Sequence, residues 1–174
     1  MPHHLADLAR LPVWELERTL SYGERPEFSA LDGFIFKGAN LTGAGALLFP
    51  RFAKGFFTER GRTMGYNVPV ERGPITEPYH TKPRERPQPF GFYEVVPQTV
   101  GGDHTLYPTS VLLDYSKGGN LGPDRLLRDF LVVVEPNNPD LLLGKAYLDL
   151  GAWVPVGFFA LERWGKAAPN PRGR

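Results

Sequence analysis

Asp114, Arg128, Lys145, Tyr147 and Glu162 share strand-like segments of the C-terminal half with apolar residues. The charges cluster at segment ends, where they read as exposed or salt-bridged on a rim; Arg128 and Lys145 are the exceptions, with apolar neighbours on either side, and read alternatively as a polar spot inside a cavity. A charge among apolar neighbours must be paired or wetted, because burying it alone is costly. The residue types suggest two kinds of chemistry. Arg128 is a planar fork that suits a carbonyl or carboxylate, and a few such groups in an apolar cavity fix the orientation of a ligand. Tyr147, Lys145, Asp114 and Glu162 are also residue types that act as general acids and bases. Arg128 with Asp114 or Glu162, and Lys145 with Asp129, are the expected cross-strand neighbours.

Other chemistries lack their residues. With no cysteine in the chain, there is no disulfide framework, thiolate nucleophile or thiolate metal site. The four histidines are His3, His4, His80 and His104, and none is spaced as a metal-binding pair. Asp103-His104 reads as a surface turn. None of Ser21, Ser29, Ser110 and Ser116 sits in a nucleophile elbow. Gly43-Ala-Gly45 lacks the remaining positions of a phosphate loop or dinucleotide fingerprint. No metal and no cofactor is expected. Arg51-Phe-Ala-Lys-Gly-Phe-Phe interleaves basic and aromatic residues like a base-stacking platform. The net charge of +1 offers no wider basic stripe, so no nucleic-acid partner is expected.

The elements that must position these groups read as strands. Residues 110–115, 125–134, 141–148 and 156–163 alternate in the period-2 manner. On 125–134 one face holds Leu126, Arg128, Phe130, Val132 and Val134. The other holds Arg125, Leu127, Asp129, Leu131 and Val133, so either face brings a charge inward. Lys145 shares a face with Leu141, Leu143 and Tyr147, and the opposite face is also apolar. Four earlier strands are expected at 31–38, within 47–58, at 63–70 and at 90–96. Residues 41–46 read as a glycine-rich loop. Residues 71–89 read as a long proline-rich surface insertion or flap. One helix is expected over 5–20, with Val13, Leu16 and Leu20 as an apolar stripe packed on the body.

About eight strands with short connections make an all-β, mainly antiparallel fold, an eight-stranded barrel with an N-terminal helix. The domain reading is a helix and arm at 1–30, a barrel at 31–166 and a flexible tail at 167–174. The chain length of 174 residues suits one domain. No stretch approaches the ~20 apolar residues of a membrane helix, and the N-terminus has no signal-like apolar region. The expectation is a cytoplasmic protein without a membrane partner.

The order of a leading helix, a Gly33-Phe-Ile-Phe-Lys-Gly38 first strand and successive hairpins resembles lipocalin-like (calycin) barrels. The Gly-x-Trp of that family is not matched, since Phe34 or Phe36 stands where its tryptophan would be. Arg163 is the candidate for the family's late-strand arginine beneath that aromatic. Lys54-Gly-Phe-Phe, Gly65-Tyr-Asn-Val-Pro-Val and Leu112-Leu-Asp-Tyr are similar to segments of bacterial proteins. The resemblance implies a small apolar or amphipathic molecule bound in the barrel, and no catalytic residue. Its walls would be Phe34, Phe36, Phe92, Leu112, Phe130, Leu143 and Phe158, with Arg128, Lys145, Tyr147 and Asp114 orienting the ligand. A cyclase or isomerase on the same scaffold, and an interaction protein dimerising through an edge strand, are the alternatives.

Overall fold

The computed structural model describes residues 4–81, 88–99, 106–169 and 171–173. The helix expected over 5–20 is broken into α1 (Leu5–Leu8) and α2 (Val13–Tyr22). Proline disfavours helical backbone at the residue before it. The break includes Leu11, before Pro12, and Pro12 takes the N-cap position of α2 in extended backbone, where its carbonyl accepts from the N–H groups of Glu15 (3.0 Å) and Leu16 (3.1 Å). A third short helix, α3 (Phe28–Leu31), leads into the sheet.

Eight antiparallel strands then close into a barrel in sequence order. They are β1 (Phe34–Asn40), β2 (Arg51–Glu59), β3 (Arg62–Val68) and β4 (Phe90–Pro97). The others are β5 (Val111–Asp114), β6 (Leu127–Val133), β7 (Leu141–Asp149) and β8 (Trp153–Lys166). The last pairs back to β1, from Phe34↔Lys166 to Asn40↔Phe159. Closure leaves no sheet edge, which removes the edge strand that the sequence reading offered to a homodimer. No described helix is long and apolar enough to cross a membrane.

Two local readings change. Residues 43–48 form a helix, α4 (Gly43–Leu48), not a loop, and Pro50 delays β2 to Arg51. The proline-rich segment is anchored as far as it is described. Arg51 donates to the Pro78 carbonyl (2.6 Å) and to that of Pro74 (3.3 Å), and its guanidinium stacks 3.9 Å from the Tyr79 ring centroid. The Tyr79 hydroxyl donates to the Gly38 carbonyl (3.1 Å). Residues 82–87 lie outside the described residues.

Paired residues share a face, and the series Phe36↔Lys54↔Asn67 and Leu113↔Asp129↔Ala146 mark the inner one. The lumen is filled by side chains. Phe36, Phe56, Tyr93, Leu113, Leu131 and Leu161 are fully buried there. Strand glycines make room for rings from the neighbouring strand: Phe52 lies over Gly38, Tyr93 over Gly65 and Phe159 over Gly144. One end, here the lower, is closed by Phe28 and Leu31 of α3. The upper end carries the β1–β2, β3–β4, β5–β6 and β7–β8 connections. The Arg163 guanidinium lies over Phe34, 3.8 Å from its ring centroid, and 5.2 Å from that of Phe36.

The outer face of the C-terminal strands is also covered. Leu16 and Leu20 of α2 pack on Leu112, Phe130, Val132, Leu143 and Phe158. Leu5 and Leu8 of α1 pack on Ala39, Leu141 and Ala160. Apolar side chains on both faces of a strand are what two-sided burial requires.

Candidate functional site

The polar residues inside the barrel come from strands whose other inner residues are apolar. Lys54 sits between Phe52 and Phe56 on the inner face of β2, with Asn67 opposite it on β3. Asp129 sits between Leu127 and Leu131 on β6. Tyr115 follows β5 and begins a 3-10 turn (Tyr115–Lys117). Asp114 holds that turn by accepting from the backbone N–H (3.0 Å) and hydroxyl (2.6 Å) of Ser116. Asn120 ties it to β4, donating to the carbonyls of Phe92 (2.6 Å) and Tyr115 (2.7 Å).

These four side chains, Lys54, Asn67, Tyr115 and Asp129, meet in the upper half of the lumen. The Lys54 ammonium donates to Tyr115 Oη (2.5 Å), Asn67 Oδ1 (2.9 Å) and Asp129 Oδ2 (3.2 Å). The Tyr115 hydroxyl donates to the same carboxylate oxygen (3.1 Å). Asn67 Nδ2 donates to the Gly91 carbonyl (3.3 Å) and to Tyr115 Oη (3.3 Å). Four rings surround the ammonium, with centroids at 5.0 Å for Tyr93, 5.2 Å for Tyr115, 5.3 Å for Phe159 and 5.5 Å for Phe52. Lys54 and Asp129 are each 3% exposed.

Burial lowers the pKa of Lys54 below the usual lysine value, and the charge and hydrogen bond of Asp129 only partly oppose it. Burial, with the charge of Asp129 behind it, pushes the Tyr115 and Tyr93 hydroxyls well above their ordinary range. Two buried atoms of the site have no hydrogen-bond partner among the described residues: Asp129 Oδ1 and the Tyr93 hydroxyl. Such groups are uncommon in folded proteins and ask for an explanation. Here they are an acceptor and a hydroxyl facing the same lumen, able to take a ligand's donor and its acceptor.

Of the eight residues expected at a ligand, only Phe36 faces the lumen. Arg128, Lys145, Tyr147, Asp114, Phe92, Phe130 and Phe158 project from the outer face. With both faces apolar, alternation defined two sets of residues but not which set was inside. Arg128 pairs with Asp114 (3.5 Å), as expected, and with Asp149 (3.2 Å). Lys145 does not meet Asp129, because its register partner is Phe130. It pairs with Glu17 of α2 (2.7 Å). Tyr107 donates to Glu17 (2.5 Å), accepts from Lys145 (3.2 Å) and lies 3.1 Å from the Tyr147 hydroxyl. Glu162 pairs with Lys37 (3.0 Å) elsewhere on the outer face. Phe92 packs on Phe57 and Tyr66, and Phe130 on Tyr107, Tyr147 and Trp153.

The Glu17–Lys145–Tyr107 network clamps α2 onto the barrel. Burial alone would raise the pKa of Glu17, but hydrogen bonds from Lys145 and Tyr107 and the charge of Lys145 hold it below the usual carboxylate value. Glu17→Gln is expected to cost about 1 kcal/mol, the scale of a partly exposed ion pair. The readout is hydrogen exchange: α2 amides should exchange several-fold faster, with barrel amides unchanged. Unchanged exchange in α2 would show that Leu16 and Leu20 hold the helix alone.

Sequence reasoning missed Lys54, although it singled out the segment. The available signal was a lone cation two residues from phenylalanine on either side, which in a strand puts all three on one face. Among the described residues no group of three His, Asp or Glu side chains is placed to hold a metal ion. Asp103 and His104 lie outside the described residues. No protein-family model matches the chain, and no curated protein is significantly similar to it.

Proposed function

We propose that this barrel binds a small amphipathic molecule through its upper end, with the polar group of the ligand taken by the Lys54–Asn67–Tyr115–Asp129 cluster. The observation that carries this reading is the pair of unpartnered atoms, Asp129 Oδ1 and the Tyr93 hydroxyl, beside a buried ammonium. A polar group left unpaired in a protein interior costs about 1–3 kcal/mol. A ligand donor on Asp129 Oδ1 and an acceptor at Tyr93 would offset that cost.

Side chains fill both halves of the lumen, so a ligand would reach the cluster by moving the rings that cover it. Phe52 and Phe159 cover Lys54, meeting edge to face at 6.0 Å between centroids. Each rests over a glycine and not a side chain. Displacing these two rings opens the path to the cluster. The calycin resemblance, with its Arg163–Phe34 stack, supports the same reading.

Native mass spectrometry of protein purified from its own host tests this. The expected result is an adduct of a few hundred daltons, the scale of a pocket-sized ligand. It should disappear in the double variant Lys54→Met/Asp129→Asn, which keeps the barrel but loses the cluster's charges. An adduct that persists in that variant, or none in the wild type, overturns the reading. A second reading, a cyclase or isomerase, has one observation in its favour. Lys54, Tyr115 and Asp129 lie within 3.2 Å of one another as an acid/base set. Of the residues expected in that role, Lys145 and Tyr147 meet around Tyr107, but on the outer face under α2, and Asp114 and Glu162 lie elsewhere. Turnover of the identified ligand by the purified protein would select this second reading.

A further inference from the structure

The upper end of the barrel is free of charge where it is most apolar. Residues 41–50, the β1–β2 connection, and 150–156, the β7–β8 tip, contain no Asp, Glu, Lys or Arg, in a chain with 22% charged residues. Leu47, Leu48 and Phe49 project from the first, and Leu150 and Val154 from the second. All five are exposed, Leu47 by 86% and Leu150 by 63%.

The two connections are tied together at their bases, where residues 41–43 pack on 156–158 of β8. The Leu41 N–H donates to the Phe158 carbonyl (2.8 Å), and the Phe158 N–H donates to the Thr42 hydroxyl (2.8 Å). Gly43 lies so close to the Val156 carbonyl that no side chain fits between them.

We infer that this rim docks on the surface of a lipid bilayer. Large apolar side chains exposed together at one end of a folded domain mark an interaction site, and three features select lipid over a protein. The apolar groups stand out as knobs on a helical turn and a hairpin tip, and such knobs enter a fluid interface without needing a matching groove. The five side chains expose on the order of 600 Å², short of the ~800 Å² per partner of a standard protein interface. Arg72 lies at the edge of the patch, donates to the Leu48 carbonyl (3.3 Å), and has no carboxylate partner among the described residues. A cation beside inserted apolar tips is placed for a lipid phosphate. The expectation of no membrane partner rested on the lack of a spanning segment and a balanced net charge. Docking through uncharged tips requires neither a span nor a basic face.

Vesicle flotation of the full chain tests the inference, with phosphatidylcholine vesicles and with vesicles containing added phosphatidylglycerol. The wild type should float with both. Leu47→Glu/Leu150→Glu should bind at least tenfold more weakly, with an unchanged circular dichroism spectrum because both positions are exposed. Arg72→Gln should lose more binding on the phosphatidylglycerol vesicles than on phosphatidylcholine. A wild type that stays at the bottom of the gradient, or a double variant that floats as well as the wild type, overturns the inference. So does a self-associated wild type in sedimentation velocity that the double variant makes monomeric while neither protein floats; that outcome assigns the patch to a second copy. The lumen variant Lys54→Met/Asp129→Asn should float normally, so the lumen reading and the docking reading fail separately.

Discussion

Above about pH 10 the protein is expected to lose stability steeply and unfold in one transition. Six of its seven tyrosines are buried, and in five of them, Tyr66, Tyr79, Tyr93, Tyr107 and Tyr115, burial raises the pKa above the ordinary value of 10.0. Tyr79 is pushed up to about 12. The unfolded chain releases these protons near pH 10, while the native state keeps them. The native state then binds more protons, so stability falls as pH rises through this range. Each retained proton contributes about 1.4 kcal/mol per pH unit, so five give at most about 7 kcal/mol per pH unit. Tyr66, whose shift is smaller than those of Tyr93 and Tyr115, stops contributing first. Against a typical stability of about 5–15 kcal/mol, the fold should be lost within about two pH units.

Lys54 acts in the opposite direction and does not cancel this. Its pKa is lowered on folding, so its contribution to stability rises with pH up to the unfolded value of 10.5. Above that value it is neutral in both states and adds no slope. A single alkaline titration followed by tyrosinate absorbance and by far-ultraviolet circular dichroism checks the expectation. The two signals should move together for the five tyrosines whose pKa burial raises. Ionisation of all seven tyrosines near pH 10 with the barrel spectrum intact would contradict the burial of these side chains.

The second large effect is expected at the lumen pair. Lys54→Met leaves the Asp129 carboxylate buried with one donor, the Tyr115 hydroxyl. Breaking a buried ion pair from one side costs about 3–5 kcal/mol, because the remaining charge stays desolvated. Asp129→Asn strands the Lys54 ammonium in the same way, though Asn67 and Tyr115 still accept from it. In Lys54→Met/Asp129→Asn neither charge remains, and the introduced amide keeps an acceptor for Tyr115. The double variant should therefore be more stable than Lys54→Met and lie within about 2 kcal/mol of the wild type. Urea unfolding of the four proteins measures the coupling. Additive losses in the double variant would mean that the two charges do not depend on each other.

Legibility differed between strand pairing and the site for a physical reason. Arg128 and Asp114 were expected to pair and do, since both stand on outer faces in direct register on β6 and β5. Lys145 and Asp129 were expected to pair and do not, because they lie on opposite faces of adjacent strands. Telling these cases apart needs the register, and a shift of one residue exchanges the faces. The split of the first helix at Pro12 and the start of β2 after Pro50 follow from proline chemistry alone, whereas α4 came from a segment whose glycines read as a loop.

The sequence by itself determined an all-β chain of eight strands in hairpin order, because alternation and turn residues act locally. Closure into a barrel was an inference that the pairing of β8 with β1 bears out. Only the tertiary structure decided which face became the lumen. α1 and α2 cover the outer face of the last strands, so Arg128, Lys145 and Tyr147 lie outside, beneath or beside a helix, while Lys54 and Asp129 meet within. Lys54 and Asp129 are 75 residues apart in the chain. Their contact is created by barrel closure, and local pattern carries no information about it.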